Sequence, residues 1–216
     1  MLTKEQKLAL ELVFNSPLSG FTSWGGGTAL SEIYLHHRQS DDIDIIMSEL
    51  PDEFVLSDLT EKIRLKTKAK SKNSFARANR FQYVFELNRG QQKLEFVYYP
   101  FIKLSREKKV GQIKVESLRD IAVSKTLAAY QRNEVKDAFD LFVILKNKQF
   151  KLSDLVQDVE KKFDEKIDPA QLLAKLSKSL SQFSILEPML IERYSKAEIA
   201  DFFQKELDEF LKSAKM

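Results

Sequence analysis

A chain of 216 residues with 43% hydrophobic content can bury an ordinary core, as one large domain or two small ones. It contains no cysteine, which excludes disulfides and thiolate metal sites, and His36 and His37 alone do not suffice for a multi-histidine zinc site. The net charge is only +3, the N-terminus lacks a signal-peptide pattern, and no apolar run approaches the ~20 residues of a membrane span. We therefore expect a cytoplasmic protein that makes no contact with a membrane.

The first predicted elements surround a run of glycines. A helix is predicted to about Phe14, a short strand over 21–24 and a helix over 28–35, with the glycines 25–27 between them. Glycines allow φ > 0 and close approach of a ligand, and a helix start exposes N–H groups, so the turn is a natural phosphate site. A plain strand-to-helix turn is the alternative. Neither GxxxxGK[ST] nor GxGxxG is present, which excludes a P-loop and leaves a dinucleotide fingerprint unsupported.

A pair of aspartates follows on the next predicted strand. Alternation over 42–47 sends Asp42 and Asp44 to one face and Ile43 and Ile45 to the other. Adjacent carboxylates repel each other unless a cation neutralises them, and hard oxygen ligands of this kind suit Mg²⁺. The pair therefore predicts a magnesium site, with a solvated strand end as the alternative.

A basic window lies within the next predicted elements, a helix over 53–63 and three strands to about residue 103. Between Glu61 and Arg80, eight basic residues stand against one acidic residue. Four of the lysines alternate, which in a strand would place their ammonium groups on one face. We predict a track for nucleic-acid phosphates, and the alternative is an edge strand that lysines protect from aggregation. The track would consist of Lys66, Lys68, Lys70, Lys72 and Arg77.

After a connector over 108–114, the sequence predicts helices to the end of the chain. Capping-box patterns mark the start of the first and the last of these helices, and two X-Pro pairs mark breaks. The capping boxes are Ser117 with Asp120 and Ser195 with Glu198, and the breaks are Asp168-Pro169 and Glu187-Pro188.

Lys125 falls in the middle of the apolar face of the first of these helices. Its ammonium group either extends to water or reaches a phosphate. On one straight helix, Lys125 and Asp140 would lie about 22 Å apart, too far to share a site. The polar run 131–134, however, predicts a break in the helix. A second helix that folds back would bring them together. The alternative for Asp140 is an i, i+4 pair with Lys136.

These motifs, taken in order, resemble the AbiEii/AbiGii family of nucleotidyltransferase toxins, relatives of the DNA polymerase β superfamily. The resemblance runs from about Phe21 to about Leu145. Its motifs are Gly26-Gly27-Thr28-Ala29-Leu30, His37-Arg38-Gln39-Ser40-Asp41-Asp42-Ile43-Asp44, Lys125 and Lys136-Asp137-Ala138-Phe139-Asp140-Leu141.

The resemblance implies an α+β fold of the polymerase β-like nucleotidyltransferase type, a mixed sheet with flanking helices followed by a C-terminal helical region. We expect a core domain over 1–110 and a helical domain over 111–216 that contributes Lys125 and Asp140 to the cleft. The family also implies a nucleoside triphosphate bound with Mg²⁺, and frequently a toxin beside a cognate antitoxin.

Roles carried over by matching position are expectations of the same kind. Asp42 and Asp44 would be metal ligands and catalytic, with Lys125 and Asp140 as a further catalytic pair. Asp137 matches a second acidic position with a less certain role. The residues expected to hold the nucleotide are Gly26, Gly27, Thr28 and Ser40.

Polymerase-β relatives usually carry a third carboxylate on a later strand, and here the sequence departs from that pattern. The segments 81–87 and 92–98, joined by the turn 88–91, predict a hairpin, and Glu95 on its second strand is the candidate. A glutamate in place of aspartate could bind the metal, act as a general base through water, or face solvent opposite a lysine.

The predicted function is Mg²⁺-dependent transfer of a nucleotidyl group from a triphosphate to an acceptor. The family and the basic track favour RNA, in particular tRNA, and a toxin of a toxin–antitoxin or phage-defence system. One alternative keeps the enzyme but gives it a protein or small-molecule acceptor. The other is a nucleotide-binding or protein-interaction module without catalysis.

Overall fold

The computed structural model describes residues 2–147 and 150–213. By its internal contacts, the chain divides into two compact units. A sheet unit comprises the described residues of 1–34, 40–102 and 106–117. A helical unit comprises those of 35–39, 103–105 and 118–216. The predicted boundary at residue 110 stays a prediction.

In the described part of the chain, seven strands form one mixed sheet in the order β3-β4-β5-β2-β1-β7-β6. The pairs β2·β5 and β1·β7 are parallel, and the other neighbours are antiparallel. The predicted mixed sheet and the hairpin of β4 and β5 are confirmed. The strands are β1 (Thr22–Gly25), β2 (Ile43–Met47), β3 (Ser71–Arg77), β4 (Arg80–Leu87), β5 (Gly90–Tyr98), β6 (Lys108–Val110) and β7 (Ile113–Val115).

The two faces of this sheet differ in character because strand residues alternate. One face carries buried apolar side chains, among them Ile43, Ile45 and Phe96, each fully inaccessible to solvent. The opposite face carries Asp44 of β2 and Glu95 of β5, which are register partners on adjacent strands. We call this second surface the carboxylate face.

Three helices belong to the sheet unit as described: α1 (Lys4–Phe14), α2 (Gly26–Ala29) and α3 (Glu53–Thr67). A capping box between Thr3 and Gln6 starts α1, and the Gln6 amide also donates to the Asp41 carbonyl, at 2.7 Å. The predicted helix over 28–35 begins two residues earlier, at Gly26, and continues from Leu30 to Leu35 with π-helical hydrogen bonding.

The lysine-rich segment does not form the predicted strand. Helix α3 continues through Lys66 to Thr67, and Lys68 ends it in the left-handed conformation, with φ of 57°. Basic side chains in a last helical turn complement the helix dipole, which explains two of the lysines without any strand. Only from Ser71 does the chain run as β3, at one edge of the sheet.

The connector predicted over 108–114 is also different in the structure. Residues Lys108–Val110 and Ile113–Val115 form the hairpin of β6 and β7, and β7 pairs with β1 through Val115 and Trp24. Three-residue strands carry too little alternation to be distinguished from a loop in a sequence.

The described helices of the helical unit begin with an antiparallel pair. As predicted, the polar run ends α4 at Gln131, and α5 begins at Val135. The break at Asp168-Pro169 and the capping box of Ser195 and Glu198 are confirmed as well. The helices are α4 (Leu118–Gln131), α5 (Val135–Lys146), α6 (Leu152–Phe163), α7 (Pro169–Ser179), α8 (Phe183–Leu186) and α9 (Lys196–Ser213).

Candidate active site

The glycine turn and the second aspartate of the pair contact each other directly. Gly26 has φ of +71°, a conformation that favours glycine, and a Cβ atom built on it would collide with the carboxylate of Asp44. Gly25 is the register partner of Asp44 across β1 and β2. Gly26 is therefore required by the close approach of Asp44 as well as by the turn, whereas a Cβ atom on Gly25 would collide with the carboxylate of Glu116.

Two residues predicted to hold the nucleotide contact each other beside this turn. The Thr28 hydroxyl, completely buried, donates to the backbone carbonyl of Asp42, and it lies 2.9 Å from Ser40 Oγ. Thr28 therefore fixes the segment that leads into β2. This contact connects the glycine turn to the first aspartate, fourteen residues later.

A row of register partners crosses the carboxylate face at Asp44. Gly25 of β1, Asp44 of β2 and Glu95 of β5 lie side by side on adjacent strands. Arg80 of β4 reaches this row, with its Nη1 2.8 Å from Glu95 Oε2. Glu95 is thus neighbour to the aspartate pair, as a third carboxylate should be, but an arginine neutralises it.

Asp42 has a basic partner of its own. Its carboxylate lies 3.3 Å from the Lys93 ammonium group, and the Asp42 side chain is 41% exposed. Lys93 and Glu95 are two residues apart on β5, so they share a face. Asp42 and Glu95 are therefore each paired with a basic side chain that remains accessible to solvent.

Two carboxylates of this site have the chemistry that a magnesium ion requires. Among the described residues, no three His, Asp or Glu side chains are grouped as a metal site. Asp42, the residue directly before β2, and Asp44 within β2 nevertheless supply hard carboxylate oxygens, and both side chains are partly accessible. Because Mg²⁺ is typically held by one or two carboxylates together with substrate phosphates, the two aspartates fit this ion.

A second cluster, in the helical unit, contains the other predicted pair. The Lys125 ammonium group of α4 lies 2.8 Å from Asp137 Oδ1 and 2.8 Å from Asp140 Oδ2, both on α5. Arg132 holds the other oxygen of Asp137 at 2.6 Å. Lys125 is only 8% exposed, so its ammonium group does not extend to open water.

Asp140 is further held by two residues from the segment before Asp42. Arg38 donates from Nε and Nη2 to the two carboxylate oxygens, at 2.6 and 2.8 Å, and His37 Nε2 lies 2.7 Å from Oδ1. The His37 ring stacks on Phe139. Asp140 therefore pairs with Arg38 and Lys125 and is completely buried. We call Arg38, Lys125, Arg132, Asp137 and Asp140 the buried ion cluster.

The charges of this cluster outweigh the effect of burial on its titration. Burial by itself would raise the pKa of Asp140, but Arg38 and Lys125 hold that pKa well below its ordinary value. The pKa of Asp137 is lowered in the same way, against its own burial, by Lys125 and Arg132. Burial disfavours the Lys125 cation, yet Asp140 and Asp137 raise its pKa. All three groups are ionised at neutral pH.

The predicted nucleic-acid track is not one surface. Lys66 lies on α3, Lys68 caps that helix, and Lys70 precedes β3. Lys72 lies 3.2 Å from the Thr60 hydroxyl and over the Tyr83 ring, on the buried side of the sheet. Arg77, five residues further along β3, shares the carboxylate face, because odd and even positions of a strand point in opposite directions.

Several residues of the site were missed by the sequence analysis. They are Arg38, Arg80, Lys93 and Glu116, whose carboxylate lies against Gly25. The usable signal for Arg38 was the apolar sequence around Asp140, which indicates a buried carboxylate, and a buried carboxylate requires a cation. The partners on β4 and β5 depend on strand register, which the sequence did not provide.

Known proteins were compared with the chain and with its fold. Residues 25–214 match the family described as "Nucleotidyl transferase AbiEii toxin, Type IV TA system". An uncharacterized protein of Aquifex aeolicus (strain VF5) is 31% identical over 219 residues, which cover 98% of each chain. The chain belongs to the AbiEii nucleotidyltransferase toxin family. The resemblance predicted from the motifs is thereby confirmed, and the protein is a nucleotidyltransferase.

Solved structures show the fold of this AbiEii family member. JHP933 from Helicobacter pylori superposes with a TM-score of 0.62 at 18% identity, over 98% of this chain and 93% of that one. A candidate nucleotidyltransferase of H. pylori superposes with a TM-score of 0.63 at 18% identity, over 97% and 94%. The predicted fold class is confirmed.

The family match includes every residue predicted for the site, from Gly26 to Asp140. The individual roles of these AbiEii residues stay predictions. In the described residues, no helix is both long and apolar enough to cross a membrane, and the expected cytoplasmic location also stays a prediction.

Proposed function

We propose that this AbiEii protein transfers a nucleotidyl group from a magnesium-bound triphosphate to a hydroxyl of RNA of the tRNA class, with pyrophosphate as the leaving group. The observation that carries the proposal is the position of Asp44, which lies against Gly26 and beside Glu95 on a partly open sheet face. A phosphate-binding turn and a metal-binding carboxylate are useful together only if they contact the same ligand.

In this proposal Asp42 and Asp44 hold the magnesium ion. Bound there, the ion would neutralise the triphosphate and the charge that develops on the attacking and leaving oxygens. Gly26 lets the turn approach Asp44 closely, and we propose that Gly26 and Gly27 contact a phosphate through their backbone. Thr28 and Ser40 position the backbone of Asp42. Lys93 and Arg80 keep the carboxylates compensated when the ion is absent.

The buried ion cluster supports a phosphate-binding role for Lys125. Arg38, Lys125 and Arg132 contribute three positive charges, and Asp137 and Asp140 contribute two negative ones, so one positive charge is in excess. Arg132, whose side chain is 49% exposed, is the most accessible cation of this cluster, and the excess charge adds to the attraction that Lys125 exerts on an anion. We propose that this excess acts on the triphosphate.

For Asp140, the contacts favour an orienting role over that of a general base. Both carboxylate oxygens already accept hydrogen bonds from cations, and the pKa is well below its ordinary value. An efficient general base has a pKa near the working pH, whereas this carboxylate is a weak base. We propose that Asp140 holds Lys125 and Arg38 in place.

Family membership supports the partners of this activity. We propose that the protein is the toxin of a phage-defence system, that a cognate antitoxin limits it, and that both act in the cytoplasm. Type IV systems are named in the family description. Restored growth on co-expression of the cognate antitoxin, with cellular RNA unmodified, is the expected result.

The activity is tested by incubating the protein and its Asp44→Ala variant with Mg²⁺, total RNA and each α-labelled triphosphate in turn. We expect label on one RNA size class, with the wild type only. Asp44→Ala should retain the fold, because the side chain is partly exposed at the end of the strand. Equal labelling by the variant would refute the metal assignment. Label on protein instead would move the acceptor to another class.

A further inference from the structure

The row of register partners at Asp44 extends to the edge of the sheet. Glu95 pairs with Gln82 of β4, and Gln82 pairs with Phe75 of β3. Phe75, Gln82, Glu95 and Asp44 therefore occupy consecutive strands on the carboxylate face. With strands about 4.8 Å apart, Phe75 lies roughly 14 Å from Asp44 along this row.

Phe75 is an unusual residue for this position. It is 59% exposed, whereas Phe85 and Phe96 on the opposite face are fully buried. Among the described residues, no aromatic ring packs against it. An exposed aromatic side chain on a sheet face, flanked by polar and basic groups, is a typical platform for stacking an unpaired nucleic-acid base.

The neighbouring cations indicate an anionic ligand. Arg77 and Arg80 are direct cross-strand partners on this face, and like charges in that arrangement destabilise a hairpin. Arg80 is compensated by Glu95 at 2.8 Å. Arg77, within the part of the chain that the structure describes, has no carboxylate partner. A phosphate group beside Arg77 would supply the missing charge.

We infer that Phe75 and Arg77 hold the single-stranded end of the acceptor RNA, with a base stacked on the phenyl ring and a phosphate at the guanidinium group. This inference rests on the proposed function, because it assumes an RNA acceptor. The separation of roughly 14 Å corresponds to about four nucleotides stacked at ~3.4 Å each. Gln82, between the ring and the carboxylates, offers an amide to a base edge or a phosphate.

The test measures binding of a short, fluorescein-labelled single-stranded RNA to the full chain by fluorescence anisotropy. Phe75→Leu removes the ring but keeps an apolar side chain on the strand, and should weaken binding about tenfold. Phe75→Trp keeps an aromatic ring at this position and should bind the RNA about as tightly as the wild type. Phe54→Leu is the matched control, because Phe54 is 87% exposed but lies on α3. Arg77→Gln should reduce the salt slope of log Kd by about 0.7.

Binding of the triphosphate is measured calorimetrically on the same preparations, so that the two proposals can fail separately. Loss of RNA affinity in Phe75→Leu with unchanged triphosphate affinity supports the inference. RNA affinity equal to wild type in that variant overturns it and leaves the RNA acceptor standing. If the wild type binds triphosphate but no RNA, both the platform and the RNA acceptor are wrong. Parallel loss of triphosphate affinity would assign Phe75 to the substrate nucleotide instead.

Discussion

The carboxylate face and the buried ion cluster use the same chemistry in different surroundings. On the carboxylate face, Asp42 and Lys93 are 41% and 32% exposed, so their ion pair is exchangeable and contributes little to stability. In the buried ion cluster, Asp140 is completely inaccessible and two cations share its oxygens. Exposure to solvent therefore distinguishes the carboxylates that can accept a metal ion from the carboxylates that hold other side chains in place.

The largest effect should come from removing the charge at the centre of the buried cluster. Asp140→Asn leaves Arg38 and Lys125 buried with one carboxylate fewer, and we expect the free energy of unfolding to fall by about 3–5 kcal/mol. Urea unfolding followed by circular dichroism measures this change. The matched variant Asp42→Asn should cost less than about 1 kcal/mol, because its pair is accessible to solvent.

Acid unfolding sharpens the same contrast. The pKa of Asp140 is lower in the folded state than in the unfolded chain, so its contribution is present above the ordinary aspartate pKa of about 3.9 and is lost as pH falls. The raised pKa of Lys125 keeps its contribution until alkaline pH. Stability should therefore decline below about pH 4 in the wild type, and less steeply in Asp140→Asn. Identical acid slopes would contradict the pairing.

A smaller effect is expected at the glycine that contacts Asp44. Gly26→Ala combines a strained φ with a collision against the carboxylate, and should destabilise the protein by about 1–3 kcal/mol. Gly111→Ala is the control, since Gly111 also has positive φ, +60°, but open space around it. Thermal unfolding of both variants isolates the collision from the strain. Equal losses would mean that Asp44 does not constrain the turn.

The smallest effect is expected from replacing Arg80, the cation that pairs with Glu95. Arg80→Gln removes a positive charge from the edge of the proposed magnesium site, and Mg²⁺ should bind up to about fivefold more tightly. Titration calorimetry with Mg²⁺ measures this, and Arg89→Gln in the β4–β5 turn is the charge-matched control. Weaker Mg²⁺ binding by Arg80→Gln would show that the arginine supports the ion instead.

The local parts of the site were predictable because they depend on short-range patterns. Alternation predicted that Asp42 and Asp44 share one face, and the polar run 131–134 predicted the turn that brings Asp140 to Lys125. The prediction of a lysine-rich strand was wrong for a physical reason. Lysines at every second position suit a strand, but a helix end followed by a left-handed cap accommodates them equally well.

Contacts between distant segments could not be predicted in the same way. Arg38 and Asp140 are 102 residues apart in the chain, and no periodicity relates them. To predict the neighbours of Asp44, one would need the parallel register of β2 and β5. That register is set by packing of the opposite face of the sheet. Phe75 could be related to Asp44 only from the strand registers, which place both residues in the same row.

The two units alternate along the sequence, and this affects how their parts can be exchanged between related proteins by recombination. Residues 35–39 belong to the helical unit although the sheet unit supplies their neighbours on both sides in the sequence. A single recombination point near residue 110 would combine the Arg38 of one parent with the Asp140 of another. A chimera that takes its helical region from a diverged relative should therefore fold only if it also carries an arginine at position 38, either from that relative or from the recipient protein.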